Sequence, residues 1–89
     1  MQKLIPLCRI GVGRCAKVKR IDVRGSMRRR FLDIGLVEDA TVECVGRSPS
    51  GDPSAYRIRG AIVAIREEDC SGVLTALTPD REGAEYGTY

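Results

Sequence analysis

The stretch RRRFLDIGL, residues 28–36, joins a run of three arginines to an apolar pattern and a glycine. Met27, Phe31 and Ile34 are spaced i, i+4 and i+7, which places them on one side of a helix. The arginines must point in different directions, because successive helical residues are about 100° apart. The spacing therefore predicts a short helix over residues 27–34, with one apolar side and several outward guanidinium groups.

Two residues are expected to delimit this helix. Ser26 is the predicted N-cap, because its hydroxyl can accept a hydrogen bond from a free amide of the first turn. Gly35 is the predicted C-cap, because helices commonly end on a residue in the left-handed conformation, which glycine adopts without strain.

Short strand-like segments precede and follow the helix. In residues 15–23 the apolar positions change parity midway, which predicts a β-bulge near Lys19 and Arg20 or a twist between two environments. Residues 41–48 alternate apolar and polar side chains, as strands with one buried face do.

The second half of the chain continues the strand pattern. Residues 61–66, AIVAIR, are nearly all apolar and predict a central strand, separated from the alternating residues 56–60 by a bend at Gly60. Residues 67–72 predict one helical turn and residues 73–77 a last strand. We therefore expect a mainly β (α+β) fold: a small, strongly bent barrel with one inserted α-helix and a helical turn before the last strand.

Length and composition indicate one small globular domain. The 89 residues are 43% hydrophobic and 30% charged, with a net charge of +3. No apolar run approaches the roughly 20 residues of a membrane span. The start of the chain lacks the uninterrupted apolar core of a secretory signal, so we expect a cytoplasmic protein that does not itself span a membrane.

The cysteines and the missing histidine bear on metals and catalysis. Cysteines stand at positions 8, 15, 44 and 70 with no C-x-x-C pair, and the chain has no histidine. Structural zinc sites usually show closely spaced ligand pairs, so we expect reduced thiols, no cofactor and no metal ligands. A transition-metal site built from separated cysteines stays open as an alternative. Without a histidine for base chemistry near neutral pH, we expect no enzyme activity.

Three interpretations of Arg28, Arg29 and Arg30 stay open. They can form a solvated face, a docking patch for an acidic protein surface, or a nucleic-acid contact. The aromatic content of 4% offers few rings for base stacking, so nucleic acid is not expected, although a small RNA-binding barrel remains the alternative class. The turn-rich residues 48–55 predict a hairpin tip, and an exposed loop on a rigid barrel is a natural contact point.

Three segments in this order, RRRFLDIGL, TVECVGRSPSGDP and YRIRGAIVAIREEDC, resemble the FeoA family, the ferrous iron transport protein A. The resemblance covers about residues 4–77. It rests on the helix end at Leu32, Gly35 and Leu36, and on a Gly-Asp-Pro loop. It also rests on a glycine that opens an apolar strand ending in arginine, here residues 60–66.

The resemblance implies an SH3-like β-barrel over residues 1–77, followed by a flexible tail over residues 78–89. It also implies an accessory or regulatory role in ferrous iron transport, beside the cytoplasmic GTP-binding domain of a FeoB-type membrane transporter. An interaction domain that binds or senses a transition metal is the other family-based alternative, and self-association is left open. The candidate partner-binding residues are Arg28, Arg29, Arg30, Leu32, Leu36, Ser50, Gly51, Asp52 and Pro53.

Overall fold

The computed structural model describes residues 3–78, which form one antiparallel sheet of six strands with two short α-helices. The strand order is β1-β6-β2-β3-β4-β5. The strands are β1 (Ile5–Pro6), β2 (Cys15–Ile21), β3 (Thr41–Arg47), β4 (Ser54–Ile58), β5 (Ala61–Ile65) and β6 (Val73–Leu77). The helices are α1 (Gly25–Asp33) and α2 (Glu67–Cys70), and Leu7–Arg9 form a 3-10 turn. The predicted mainly β fold, with one inserted helix and a helical turn before the last strand, is confirmed.

The sheet is not closed by backbone pairing within the described residues. Each inner strand has two neighbours, whereas β1 pairs with β6 alone and β5 pairs with β4 alone. The strands therefore curl around one core and leave two edges, where the sequence suggested a closed barrel. None of the helices in residues 3–78 has the length and apolarity needed to cross a membrane.

The core is mostly aliphatic, with two aromatic rings. Alternate residues of β2, β3 and β4 face inward, which is the period expected of strands with one buried face. The fully buried large side chains are Leu7, Ile10, Val18, Leu36, Val42, Cys44, Tyr56, Ile58, Cys70, Val73 and Thr75.

Two bulges bend the sheet. The register between β2 and β6 shifts between Val18 and Arg20, which shows that the bulge is the correct one of the two alternatives that the sequence left open. A second shift, between Cys44 and Gly46 in β3, was not predicted. The first bulge allows Ile21 to pack on the core although its parity differs from that of Val18.

Helix α1 begins earlier than predicted. Arg24 is its N-cap, in an extended conformation without a side-chain hydrogen bond, and Gly25 turns the chain with a φ of 71°. Ser26 consequently lies inside the first turn, is exposed, and its hydroxyl bonds to none of the described residues. The prediction of Ser26 as N-cap was wrong, because the glycine before it lets the helix start sooner.

The end of α1 confirms the predicted glycine cap. Gly35 has a φ of 96°, and its N–H donates to the Leu32 carbonyl at 3.1 Å. The Leu36 N–H donates to the Phe31 carbonyl at 2.9 Å. These two bonds are those of a Schellman motif, and the buried Leu36 side chain supplies the apolar contact that accompanies it.

Strands β4 and β5 form a hairpin with a two-residue turn. Arg59 and Gly60 both have positive φ, 53° and 84°, as the preferred hairpin turns require. The predicted bend at Gly60 is therefore confirmed. The prediction that residues 61–66 form a central strand was wrong, because β5 lies at the edge of the sheet and the Ile62 side chain is 60% exposed.

Candidate functional site

The three consecutive arginines of α1 are all exposed, but they differ in their contacts. Arg28 Nη1 donates to the Ile21 carbonyl at 3.2 Å, which ties it to the end of β2. The side chains of Arg29 and Arg30 form no ion pair or hydrogen bond within residues 3–78. Among residues 3–78 the helix therefore carries two exposed guanidinium groups without a partner.

A cleft of about 160 Å³ lies between α1 and β5. Met27, Phe31 and Ile34 form its α1 side, because their i, i+4, i+7 spacing turns them to the same side of the helix. Four consecutive residues that include the end of β5 form the other side, and one residue of α2 completes it. These five are Val63, Ala64, Ile65, Arg66 and Asp69. Most of the residues that line the cleft are therefore apolar, while its polar surface includes three charged side chains, those of Arg30, Arg66 and Asp69.

The rim of the cleft is mainly cationic. Arg30 from α1 and Arg66 from the β5–α2 junction both line it, and neither has an ion-pair partner among the described residues. Asp69 is the one acidic side chain in the lining. The Arg59 side chain lies close to the end of α1. A Cβ atom added at Gly35, the residue that ends this helix, would lie 2.5 Å from Arg59 Cδ. An anionic group in this cleft would find two guanidinium groups at its border, those of Arg30 and Arg66.

The remaining predicted contact residues of the helix separate into surface and core. The side chain of Leu32 is 44% exposed, as a contact residue requires. The side chain of Leu36 is fully buried, because the Schellman turn directs it into the core. Leu36 is therefore a structural residue, and the prediction that it contacts a partner is corrected.

The predicted contact loop forms hydrogen bonds within itself and to α2. Its candidate residues are Ser50, Gly51, Asp52 and Pro53. The hydroxyls of Ser48 and Ser50 donate to the Asp52 carbonyl at 2.7 and 3.0 Å. The Asp52 carboxylate accepts from the Glu67 N–H at 2.9 Å, and so caps the first turn of α2. The structure places this loop against α2 and does not join it to the α1 arginines.

The four cysteines are free thiols in two environments. Cys44 and Cys70 are fully buried, whereas Cys8 and Cys15 are half-buried. Burial raises the pKa of the Cys70 thiol to about 12, against a lowering by its hydrogen bond with Tyr56. The Tyr56 hydroxyl lies 3.9 Å from Cys70 Sγ, and burial also raises the pKa of Tyr56 above its ordinary value. Within residues 3–78, no three His, Cys, Asp or Glu side chains come together as a metal site.

Sequence reasoning found the α1 half of the cleft but missed the β5 half. Arg66, Val63 and Ala64 were read as parts of a buried central strand. The signal that could have indicated an edge strand is the hairpin turn at Arg59 and Gly60. A hairpin pairs β5 with β4 on one side and does not require a second strand on the other side. Charge counting alone gave no reason to place Arg66 opposite Arg30, because the two residues are brought together only by the tertiary fold.

The fold defines a small SH3-like β domain, and a cleft lies between its first helix and β5. Residues 5–76 match the FeoA domain family, and the chain belongs to this family. It is 34% identical over 71 residues to an Fe(2+) transport protein A/Fe(2+) transporter FeoB fusion protein of Porphyromonas gingivalis. The match covers 80% of this chain and 8% of that much longer relative.

Solved structures agree with this fold. A FeoA-like protein of Clostridium acetobutylicum superposes with a TM-score of 0.80 at 29% identity, over 89% of this chain and 92% of that one. FeoA of Stenotrophomonas maltophilia, a prokaryotic SH3 domain protein complexed with zinc, superposes with a TM-score of 0.70 at 21% identity. That superposition covers 80% of this chain and 88% of the other, and its low identity supports the fold alone.

Proposed function

We propose that this chain is a non-catalytic accessory or regulatory module of ferrous iron transport, acting in the cytoplasm on a FeoB-type Fe(II) transporter. The observation that carries the proposal is the relative in which Fe(2+) transport protein A and the FeoB transporter are fused. A covalent link holds two modules at high effective concentration, which favours pairs that contact each other. We propose the transporter's cytoplasmic GTP-binding region as the partner.

The surface of the molecule supports docking on a protein. Arg29 and Arg30 have no partners within residues 3–78, and Arg30 borders a cleft that combines apolar lining residues with a second arginine, Arg66. Protein interfaces commonly combine a buried apolar centre with a charged rim, and arginine is enriched in them. The loop residues Ser50, Gly51, Asp52 and Pro53 remain a second candidate contact, at the α2 side.

The aromatic residues make an RNA-binding surface the weaker candidate. In the described part of the chain the aromatic side chains are Phe31 and Tyr56, and both are buried. Neither ring can stack on a base, which is the usual way that small barrels hold single strands. A salt titration separates the two functions, because phosphate contacts give a steep fall of affinity with salt.

Co-purification tests the proposal. The transporter's GTP-binding region, produced separately, should retain the full chain on a column at physiological salt. A variant with Arg28, Arg29 and Arg30 all changed to Glu should not be retained, while circular dichroism shows it folded. Retention of this variant would remove α1 from the interface, and failure of the wild-type chain to be retained would contradict the proposed partner. The Lys17→Glu variant, changed on the exposed side of β2, shows whether charge reversal elsewhere matters.

A further inference from the structure

Strand β5 has one backbone edge without a partner in the described residues. Because the hairpin turn has two residues, Ile58 and Ala61 form a hydrogen-bonded pair, and such pairs alternate along the ladder. The N–H and C=O groups of Val63 therefore point toward β4, whereas those of Ile62 and Ala64 point away. No backbone hydrogen bond of Ile62 or Ala64 is formed within residues 3–78.

The sequence of β5 lacks the features that protect exposed strands. Natural edge strands are commonly blunted by an inward charge, a lysine, a proline or a bulge. The sequence of β5, AIVAI, contains neither a charge nor a proline, and its register with β4 is unbroken. Ile62 is 60% exposed, and Ala61 and Ala64 are also exposed. An apolar, unpaired edge of this kind is a template for another strand.

The cleft lies where β5 ends, on the side of α1. Four consecutive residues, 63–66, line it although alternate side chains of a strand point to opposite faces. Val63 and Ile65 share one parity and Ala64 has the other, so the cleft is bordered from both faces of β5 near the end of the strand. Its volume of about 160 Å³ is enough for one apolar side chain, since a cavity of about 150 Å³ holds a benzene molecule.

The charges around the edge select the kind of strand. Arg30 and Arg66 border the cleft without ion-pair partners in the described part of the chain, and Arg59 stands at the end of the hairpin. A second copy pairing through its own β5 would bring its own arginines to this region, and like charges repel. An acidic strand would instead place carboxylates against the guanidinium groups.

We propose that β5 receives an extended acidic segment of the partner protein, which adds to the sheet as a strand. The backbone groups of Ile62 and Ala64 pair with this segment, one of its apolar side chains occupies the cleft, and its carboxylates meet Arg30 and Arg66. The inference rests on the proposed function, which supplies a protein partner, and it goes further by naming the edge and the chemistry of the docking segment. Strand addition takes its affinity from main-chain hydrogen bonds and its specificity from side-chain pockets.

Amide hydrogen exchange of the full chain, resolved by NMR, tests the proposal with two probes. One probe is the transporter's GTP-binding region, and the other is a synthetic peptide in which glutamate and valine alternate. Ile62 and Ala64 should exchange fast in the free protein and slowly in the complex. The Ala64→Pro variant removes an N–H that faces the free edge, so it should fold and bind at least roughly ten-fold more weakly. Ala64→Ser keeps this N–H and should bind as wild type does.

Each outcome decides between the two claims. If the GTP-binding region binds but leaves Ile62 and Ala64 unprotected, or binds Ala64→Pro as well as wild type, the strand-addition inference is overturned and the proposed function stands. If the peptide protects both amides and the GTP-binding region does not bind, the acidic-strand site stands and the proposed partner is wrong. If neither probe binds, both claims fail. Slow exchange of these amides in the free protein also overturns the inference. If the protection increases with protein concentration, a second copy covers the edge. If the protection does not depend on concentration, the chain itself covers it.

Discussion

The attachment of α1 to the sheet should depend on one side chain, Phe31. It is the buried residue of this helix, with 2% of its side chain exposed, whereas the adjacent Leu32 is 44% exposed. Truncating a buried phenylalanine to alanine costs about 3–5 kcal/mol. Phe31 borders the cleft, so part of the new space opens to an existing void, and we expect the lower end, about 3 kcal/mol. Leu32→Ala, the matched control, should cost less than about 1 kcal/mol.

Urea unfolding followed by circular dichroism measures both variants. With a slope of about 1–3 kcal/mol per molar urea, Phe31→Ala should lower the unfolding midpoint by about 1–3 M, against less than about 1 M for Leu32→Ala. A domain of 89 residues has a total stability of roughly 4–13 kcal/mol, so the alanine variant can be too unstable to fold. Phe31→Leu, with an expected loss of roughly 1 kcal/mol, then replaces it. Equal losses at Phe31 and Leu32 would refute the anchoring of α1 by this ring.

Five further variants probe the fold around the site by urea unfolding. Gly72→Ala should destabilise by about 1–3 kcal/mol, because the new Cβ would lie 2.6 Å from a backbone oxygen. Gly46→Ala, with no atom within 4 Å, should cost less. Asp52→Ala should lose about 1 kcal/mol through its bond to the Glu67 N–H, and Asp52→Asn should lose less. Burial raises the pKa of Cys70 from 9.0 to about 12, so the unfolded state loses this proton first. Stability should therefore fall as pH rises from about 9 to 12, by up to about 1.4 kcal/mol per unit, and less steeply in Cys70→Ala.

The contrary outcomes are equally specific. Equal losses for the two glycine variants would mean that the chain can move away from residue 72 at little cost. An Asp52→Ala protein as stable as wild type would show that the loop does not cap α2. If the free energy of unfolding falls as steeply with alkaline pH in Cys70→Ala as in wild type, another group must lose the responsible proton. The buried Tyr56 hydroxyl is then the first candidate, because burial raises its pKa too.

Local signals predicted the elements whose cause is local. The spacing of Met27, Phe31 and Ile34 gave the helix, and Gly35 gave its end, because both depend on backbone geometry within a few residues. The same reasoning misplaced the helix start, since it gave Ser26 a capping role and overlooked how freely Gly25 turns the chain. Local rules were sufficient wherever a short stretch decides its own conformation.

The cleft could not be predicted in full, because it depends on which strand lies at the edge. An apolar run such as AIVAI is compatible with a central strand and also with an edge strand that has exposed apolar side chains. The meeting of Arg30 with Arg66 across the cleft joins residues far apart in the chain, and no periodicity encodes it. The burial of Leu36 likewise follows from the Schellman turn and not from its apolar character alone.

Calorimetric titration of the full chain into the GTP-binding region of a FeoB-type transporter tests the central claim most directly. Arg30→Glu and Lys17→Glu each lower the net charge from +3 to +1, so they differ only in where the charge is reversed. We expect saturable binding by the wild-type chain, a dissociation constant at least roughly ten-fold higher for Arg30→Glu, and an almost unchanged one for Lys17→Glu. Absence of binding by the wild-type chain, or equal weakening by both variants, would contradict a docking surface between α1 and β5.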